Sequence, residues 1–120
     1  MLFITNREPQ GSIRTRKDRA YKFDLNKNSP SNSVYCCERT GEDSYVEIGS
    51  EGLLTKLKNC EAEQLLLYFH GFSNLPEPDI FPRVAKLQEY FDAKEKNLVQ
   101  VVPLIWPCDN DIGIIKDYWD

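Results

Sequence analysis

The sequence predicts an α/β protein with a mixed sheet, in which antiparallel N-terminal strands are followed by a βαβ unit. Three observations carry that prediction. The first fifty residues hold short stretches in which apolar and polar residues alternate, the mark of half-buried strands. Leu65-Leu66-Leu67-Tyr68-Phe69 is instead apolar at every position, as in a parallel-sheet strand buried on both faces. Between it and a second apolar run, Leu98 to Trp106, lies a segment with helical spacing.

Taken in order, residues 2–6 read as a short strand, and a polar, basic stretch with Arg14, Arg16, Lys17 and Arg19 follows as a solvated loop. Tyr21 to Leu25 alternates as a second strand. Asn26 to Ser33 is rich in Asn, Ser and Pro and predicts an exposed loop. Val34 to Glu38 and Tyr45 to Ile48 predict a hairpin turning through Thr40-Gly41-Glu42-Asp43. Ser50 is the expected N-cap of a helix reaching about Asn59, with Leu53, Leu54 and Leu57 as its apolar stripe. Asp79 is the expected cap of a second helix, with Pro82 in its first turn and Ile80, Val84, Leu87 and Phe91 along one face. Pro103, inside the last strand, predicts an edge, a bulge or a bend there. The crossover between the two apolar strands is expected to be right-handed.

A chain of 120 residues has room for one domain, with residues 1–49 its antiparallel β part and 50–120 its helix and βαβ part. With 41% apolar and 28% charged residues, the composition is that of a folded chain rather than a disordered one. A net charge of −4 argues against a nucleic-acid binder that works by bulk charge, and no apolar run approaches a membrane span. The N-terminus lacks the basic-then-apolar order of a signal peptide, so a cytoplasmic location and reduced Cys36, Cys37, Cys60 and Cys108 are the expectation. With no C-x-x-C pair and a single histidine, a zinc site is poorly supplied, and no metal or cofactor is predicted. Asp109, Asp111 and Asp120 match positions 1, 3 and 12 of a calcium loop. Gly113, however, falls one place early for the turn glycine, which favours a solvated tail.

The informative spot is the end of the first apolar strand, because ligands of open α/β sheets bind beyond the carboxyl ends of the strands. That end carries His70-Gly71-Phe72-Ser73, where a glycine lets the backbone turn with its N–H groups free to stabilise an oxyanion. Apolar strand, His-Gly-Phe, helix, then a second apolar strand ending in Trp106-Pro107 resembles the N-terminal half of an α/β-hydrolase. The nearest likeness is to an uncharacterised bacterial branch with a His-Gly-Phe loop and a Trp-Pro after the next strand. The resemblance covers roughly residues 64–120. It implies that Leu65 to Phe69 is the third strand of the hydrolase sheet and Leu98 to Trp106 the fourth. It also implies that His70, Gly71, Phe72 and Ser73 form the oxyanion and substrate loop, with the Phe72 N–H as donor, and that Trp106 is a pocket wall.

The chain departs from that family in lacking its catalytic side chains. No Gly-x-Ser-x-Gly elbow occurs, and the one histidine lies in the oxyanion loop, so no residue here is assigned as catalytic. Ser73 and His70 are poorly spaced for a dyad; the bland reading of His70 is a residue that orders its loop through backbone bonds. The resemblance thus implies part of an esterase or acyl hydrolase, binding a small acyl or ester substrate only when the domain is complete. The alternative is a non-catalytic α/β interaction module. In the family the third strand lies between the fourth and the strand leading to the nucleophile; without that second neighbour, Leu65 to Phe69 becomes an exposed apolar edge, which predicts pairing with a second copy or a partner chain. A phosphate binder is a weaker rival, since only Gly71 stands near the strand end.

Overall fold

The strand Leu2–Arg7 (β1) joins two sheets' worth of chemistry, antiparallel on one side and parallel on the other. The structure, a computed structural model, describes residues 1–27, 29–71 and 75–107. The further strands are Ala20–Tyr21 (β2), Pro30–Gly41 (β3), Ser44–Glu47 (β4), Gln64–Phe69 (β5) and Val99–Ile105 (β6), with helices Gly49–Asn59 (α1) and Phe81–Lys94 (α2). They form one six-stranded mixed sheet in the order β2-β4-β3-β1-β6-β5. β1, β6 and β5 run parallel, while β1 pairs with β3, β3 with β4 and β2 with β4 antiparallel. The fold class is therefore the expected one.

Alternation along β1 and β3 sends successive side chains to opposite faces, and each face finds its own helix. Phe3, Tyr35, Cys37 and Tyr45 join Val99, Val101 and Ile105 beneath Ile80, Phe81 and Val84 of the α2 side. Phe3 is fully buried and touches three rings: Phe23 at 5.8 Å, Tyr45 at 5.6 Å and Phe81 at 5.0 Å between centroids. On the other face Leu2, Cys36 and Ile48 pack under Leu53 of α1. The adjacent Cys36 and Cys37 are free thiols on opposite faces, and burial pushes the pKa of both upward.

Several boundaries differ from expectation. The strand expected over Tyr21 to Leu25 shrinks to two residues plus a bridge between Pro9 and Phe23, because Asp24 bends the chain by accepting the Asn26 N–H. The loop expected over Asn26 to Ser33 is in part strand. β3 begins at Pro30, opposite Arg7, and a proline without an N–H is tolerated at a strand's first residue. Ser50 does not cap α1; the helix begins at Gly49, whose φ of 74° suits a glycine, with no side-chain cap. Asp79 does not cap α2 either. It lies in a π-type turn, Pro76–Ile80, where its carboxylate accepts the Leu75 N–H at 2.9 Å. The basic stretch is mostly exposed, but Arg19 is drawn in by the buried Glu47 at 2.8 Å.

Two larger corrections concern β5 and β6. β5 is not buried on both faces, as its unbroken apolar run alone predicts; it is the exposed apolar edge expected of this strand without a second neighbour, with Leu65, Leu66, Leu67 and Phe69 all exposed. Nothing among the described residues covers its outer side. Pro103 sits in β6, an interior strand between β1 and β5. The β1 ladder covers only Ile4↔Leu104 and Thr5↔Ile105, so the earlier part of β6 needs another partner on that side. Gln88 of α2 supplies it: its amide donates to Val99 O at 2.7 Å and accepts from Val101 N–H at 2.8 Å. One side-chain amide thus completes the ladder as a strand residue would.

A second bolt holds the α2 layer to the sheet. Glu77, in the π-type turn, receives Arg39 of β3 at 2.7 and 3.3 Å, the Asp43 N–H at 2.7 Å and the Tyr45 hydroxyl. Burial works against its charge, but these donors outweigh it and hold its pKa below the usual carboxylate range.

Gln88→Ala leaves two buried backbone groups without partners, and urea unfolding is expected to show a loss of about 2–4 kcal/mol. A loss below about 0.5 kcal/mol would mean that water replaces the amide. For Glu77 the lowered folded pKa places its contribution above the unfolded carboxyl pKa and removes it as the pH falls through the folded value. Glu77→Gln is therefore expected to be clearly less stable than the parent at pH 6, with the gap narrowing below about pH 4.5. A pH-independent gap would contradict that assignment.

Candidate functional site

Because β1, β6 and β5 are parallel, their carboxyl ends lie side by side, and the residues there are Thr5 to Arg7, Trp106 and His70. The first two strand ends are tied by Thr5. Its hydroxyl donates to Ile105 O at 2.7 Å and accepts the Arg7 N–H at 3.1 Å. Arg7 is fully buried; its guanidinium donates to Lys27 O at 3.2 Å, and its own carbonyl accepts the Tyr21 hydroxyl at 3.0 Å.

The other two ends are tied by His70 and Trp106. The Trp106 N–H donates to His70 Nε2 at 3.0 Å, and the indole N–H donates to His70 O at 3.2 Å. The rings stack with centroids 5.0 Å apart and planes inclined by 15°. Since Nε2 accepts, the imidazole proton belongs on Nδ1, which donates to Gly71 O at 2.8 Å. That assignment makes the ring neutral. Burial lowers the His70 pKa from the ordinary imidazole value, and the positive charges of Arg7 and Arg83 push the same way. Both ring nitrogens are engaged with backbone, so neither is placed to take a proton from a hydroxyl. His70 positions the loop and the strand end.

Beside these groups a groove of about 460 Å³ opens, lined by Ile4, Val34, Phe69, Leu104 and Trp106 with Thr5 and Asn6 at its polar side. Its volume falls in the range of small-ligand sites, and its lining is mostly apolar. Of the residues singled out in the sequence, the structure brings His70, Gly71 and Trp106 together. Phe72, Ser73, Cys108, Asp109, Asp111, Gly113 and Asp120 lie outside the described residues. Sequence reasoning missed Thr5, Arg7 and Gln88. Thr5 and Arg7 read as the polar end of a strand, and Gln88 as the solvent face of a helix; no local pattern marks their partners. Among the described residues no group of three or more His, Cys, Asp or Glu side chains is placed to hold a metal ion. No helix among them is long and apolar enough to cross a membrane.

The geometry defines an α/β protein with an apolar groove at the carboxyl ends of its parallel strands. Comparison with known proteins takes the assignment no further: no family model, no curated protein and no solved structure matches the chain.

His70 is the chain's single histidine, so its imidazole can be followed by NMR without ambiguity. It is expected to titrate below about 6.5, the value of an unperturbed imidazole. The sign for stability follows. As the pH drops below about 6.5 the unfolded chain takes up a proton that the folded chain still refuses, so this residue's contribution is intact above that pH and shrinks below it. A folded-state titration at or above 6.5 would overturn the buried, neutral, Nδ1–H assignment.

Proposed function

We propose that these residues form the N-terminal part of an esterase- or acyl-hydrolase-like α/β protein. They contribute the oxyanion loop and one apolar wall of the substrate groove, and no side chain of a catalytic triad. The observation that carries this reading is the junction at the strand ends: the His70-Gly71 loop start is clamped to Trp106 beside an apolar groove. In such chemistry a fixed loop aims backbone N–H groups at the position where negative charge develops. The clamp suits that task because it fixes the loop's first residue while leaving the imidazole out of proton transfer. Trp106 and Phe69 line the groove for the apolar part of an acyl or ester substrate, and Phe72 supplies the oxyanion donor. The nucleophile, acid and base come from outside residues 1–120.

A second reading rests on a different observation. The exposed apolar strand β5 suits a non-catalytic module that recruits a protein through its sheet edge. The two readings differ in what fills that edge: a later strand of the same protein, or another chain.

The test uses the natural gene product read past Asp120. The hydrolase reading expects a Gly-x-Ser-x-Gly elbow within roughly 50 residues, and its serine should be the site labelled by a fluorophosphonate. Phe72→Pro, which removes one N–H, is then expected to lower kcat on a p-nitrophenyl ester by about 10²–10³. A gene that stops at Asp120, or one lacking the elbow, sinks the hydrolase reading and leaves the interaction module.

A further inference from the structure

We propose that His70 is a proton-operated latch between the ends of β5 and β6: neutral, it holds Trp106 in place, and protonated, it lets Trp106 go and loosens that end of the groove. The inference does not rest on the hydrolase reading, because it needs only the junction and not what binds beside it. Hydrogen-bond valence carries it. An imidazole nitrogen accepts a hydrogen bond only while it carries no proton. In the neutral ring Nδ1 donates to Gly71 O at 2.8 Å and Nε2 accepts the Trp106 N–H at 3.0 Å. A second proton has to go on Nε2, the ring nitrogen that still has a lone pair. Two N–H groups then point at each other across 3.0 Å, and an attraction becomes a repulsion.

The surroundings give the cation no other home. His70 is 3% exposed, and among the described residues neither ring nitrogen is bonded to a carboxylate. Burial opposes the charge, and the charged groups that act on the ring are both positive, Arg7 from β1 and Arg83 from α2. The chain after β6 contributes the Trp106 ring, stacked on the imidazole at 5.0 Å. That stack suits a cation, but it joins side chains and does not replace the lost bond to the backbone. The imidazolium therefore gains water or an acceptor only by leaving the space between the strand ends.

The release is local. The Thr5 hydroxyl still holds Ile105 O at 2.7 Å, so β6 stays in the sheet up to Ile105. Beyond it the indole N–H to His70 O contact at 3.2 Å is left to carry the junction, and Trp106 is a wall of the groove. Proton linkage sets the size of the effect. The released ring takes a proton as an unperturbed imidazole does, near pH 6.5, whereas the latched ring resists it. The released fraction is therefore constant above about pH 6.5 and grows by up to about tenfold per pH unit below it.

Amide exchange of the 120-residue chain, corrected for the intrinsic pH dependence of exchange, tests this. Protection of the Trp106 N–H is expected to be level above about pH 6.5 and to fall about two- to fivefold between pH 6.5 and 5.5. The amides of the β1–β3 ladder are expected to keep theirs over the same range. His70→Gln offers an amide oxygen to the same N–H and does not titrate, so its protection at Trp106 is expected to be independent of pH. Should that variant fail to fold, the profile of the parent decides. Protection at Trp106 that stays level down to about pH 5 overturns the proposal. So does its loss together with the β1–β3 ladder, which is global unfolding and not a latch. A pH dependence that survives His70→Gln assigns the effect to another group and overturns it as well.

Discussion

The seam between β1 and β6 is the constraint on which the rest of the structure depends. On one side of it the sheet is antiparallel and closed by the short turn of the β3–β4 hairpin; on the other it is parallel and needs a helical crossover. Two residue pairs make up the whole backbone ladder across the seam, too few to hold two half-sheets in register. Side chains complete it from both directions. Thr5 ties β1 to Ile105 at the carboxyl end, and Gln88 takes the backbone groups of Val99 and Val101 at the amino end. Phe3 closes the layer above, with rings from the loop, the hairpin and α2 around it. A polar group placed in this way does more than add a bond. It removes the desolvation cost that an open ladder would carry inside the protein.

The same seam explains why the groove lies where it does. Parallel strands end together, so β1, β6 and β5 deliver Thr5, Trp106 and His70 to one edge of the sheet. There the three ends are cross-linked by side chains rather than by ladder bonds: Thr5 to Ile105, Trp106 to His70. His70 is tied up twice, through Nε2 to the next strand and through Nδ1 to its own loop. A histidine held in this way is useful as a rigid hinge pin and poorly suited to shuttling protons. Its low pKa and its structural role have one origin, which is burial of a neutral ring between hydrogen-bonded backbone groups.

How much of this was legible in the sequence depends on whether the signal is local. The runs of β1, β4, β5 and β6 and the helical spacing of α1 and α2 are local patterns, and each gives the element type the structure has; the α1 stripe is narrower than expected, since Leu53 is buried but Leu54 is exposed. The rule that ligands meet parallel strands at their carboxyl ends points to His70-Gly71, whereas Trp106 enters only through the resemblance to the α/β-hydrolases. What failed was non-local. Asn26 to Ser33 is polar and looks like a loop, yet its later part is held in β3 by pairing with β1. Asp79 and Ser50 have the side chains of helix caps, but a capping residue is defined by the backbone it faces, and theirs face elsewhere. The role of Gln88 could not be read, because an amide on a helix surface carries no mark of the strand whose ladder it completes.

β5 shows the limit of pattern reading most directly. An unbroken apolar run predicts burial on both faces, which holds when a strand has neighbours on both sides. Here one neighbour, β6, accounts for the inward backbone groups of Gln64, Leu66 and Tyr68, and no described residue covers the face opposite α2 from Leu65 to Phe69. The composition is that of a central strand; the described residues do not surround it as one. A surface strand under ordinary constraints acquires charge on its outer face, since each exposed leucine there adds an association hazard without adding stability. β5 carries none, so among the described residues its chemistry and its exposure are mismatched.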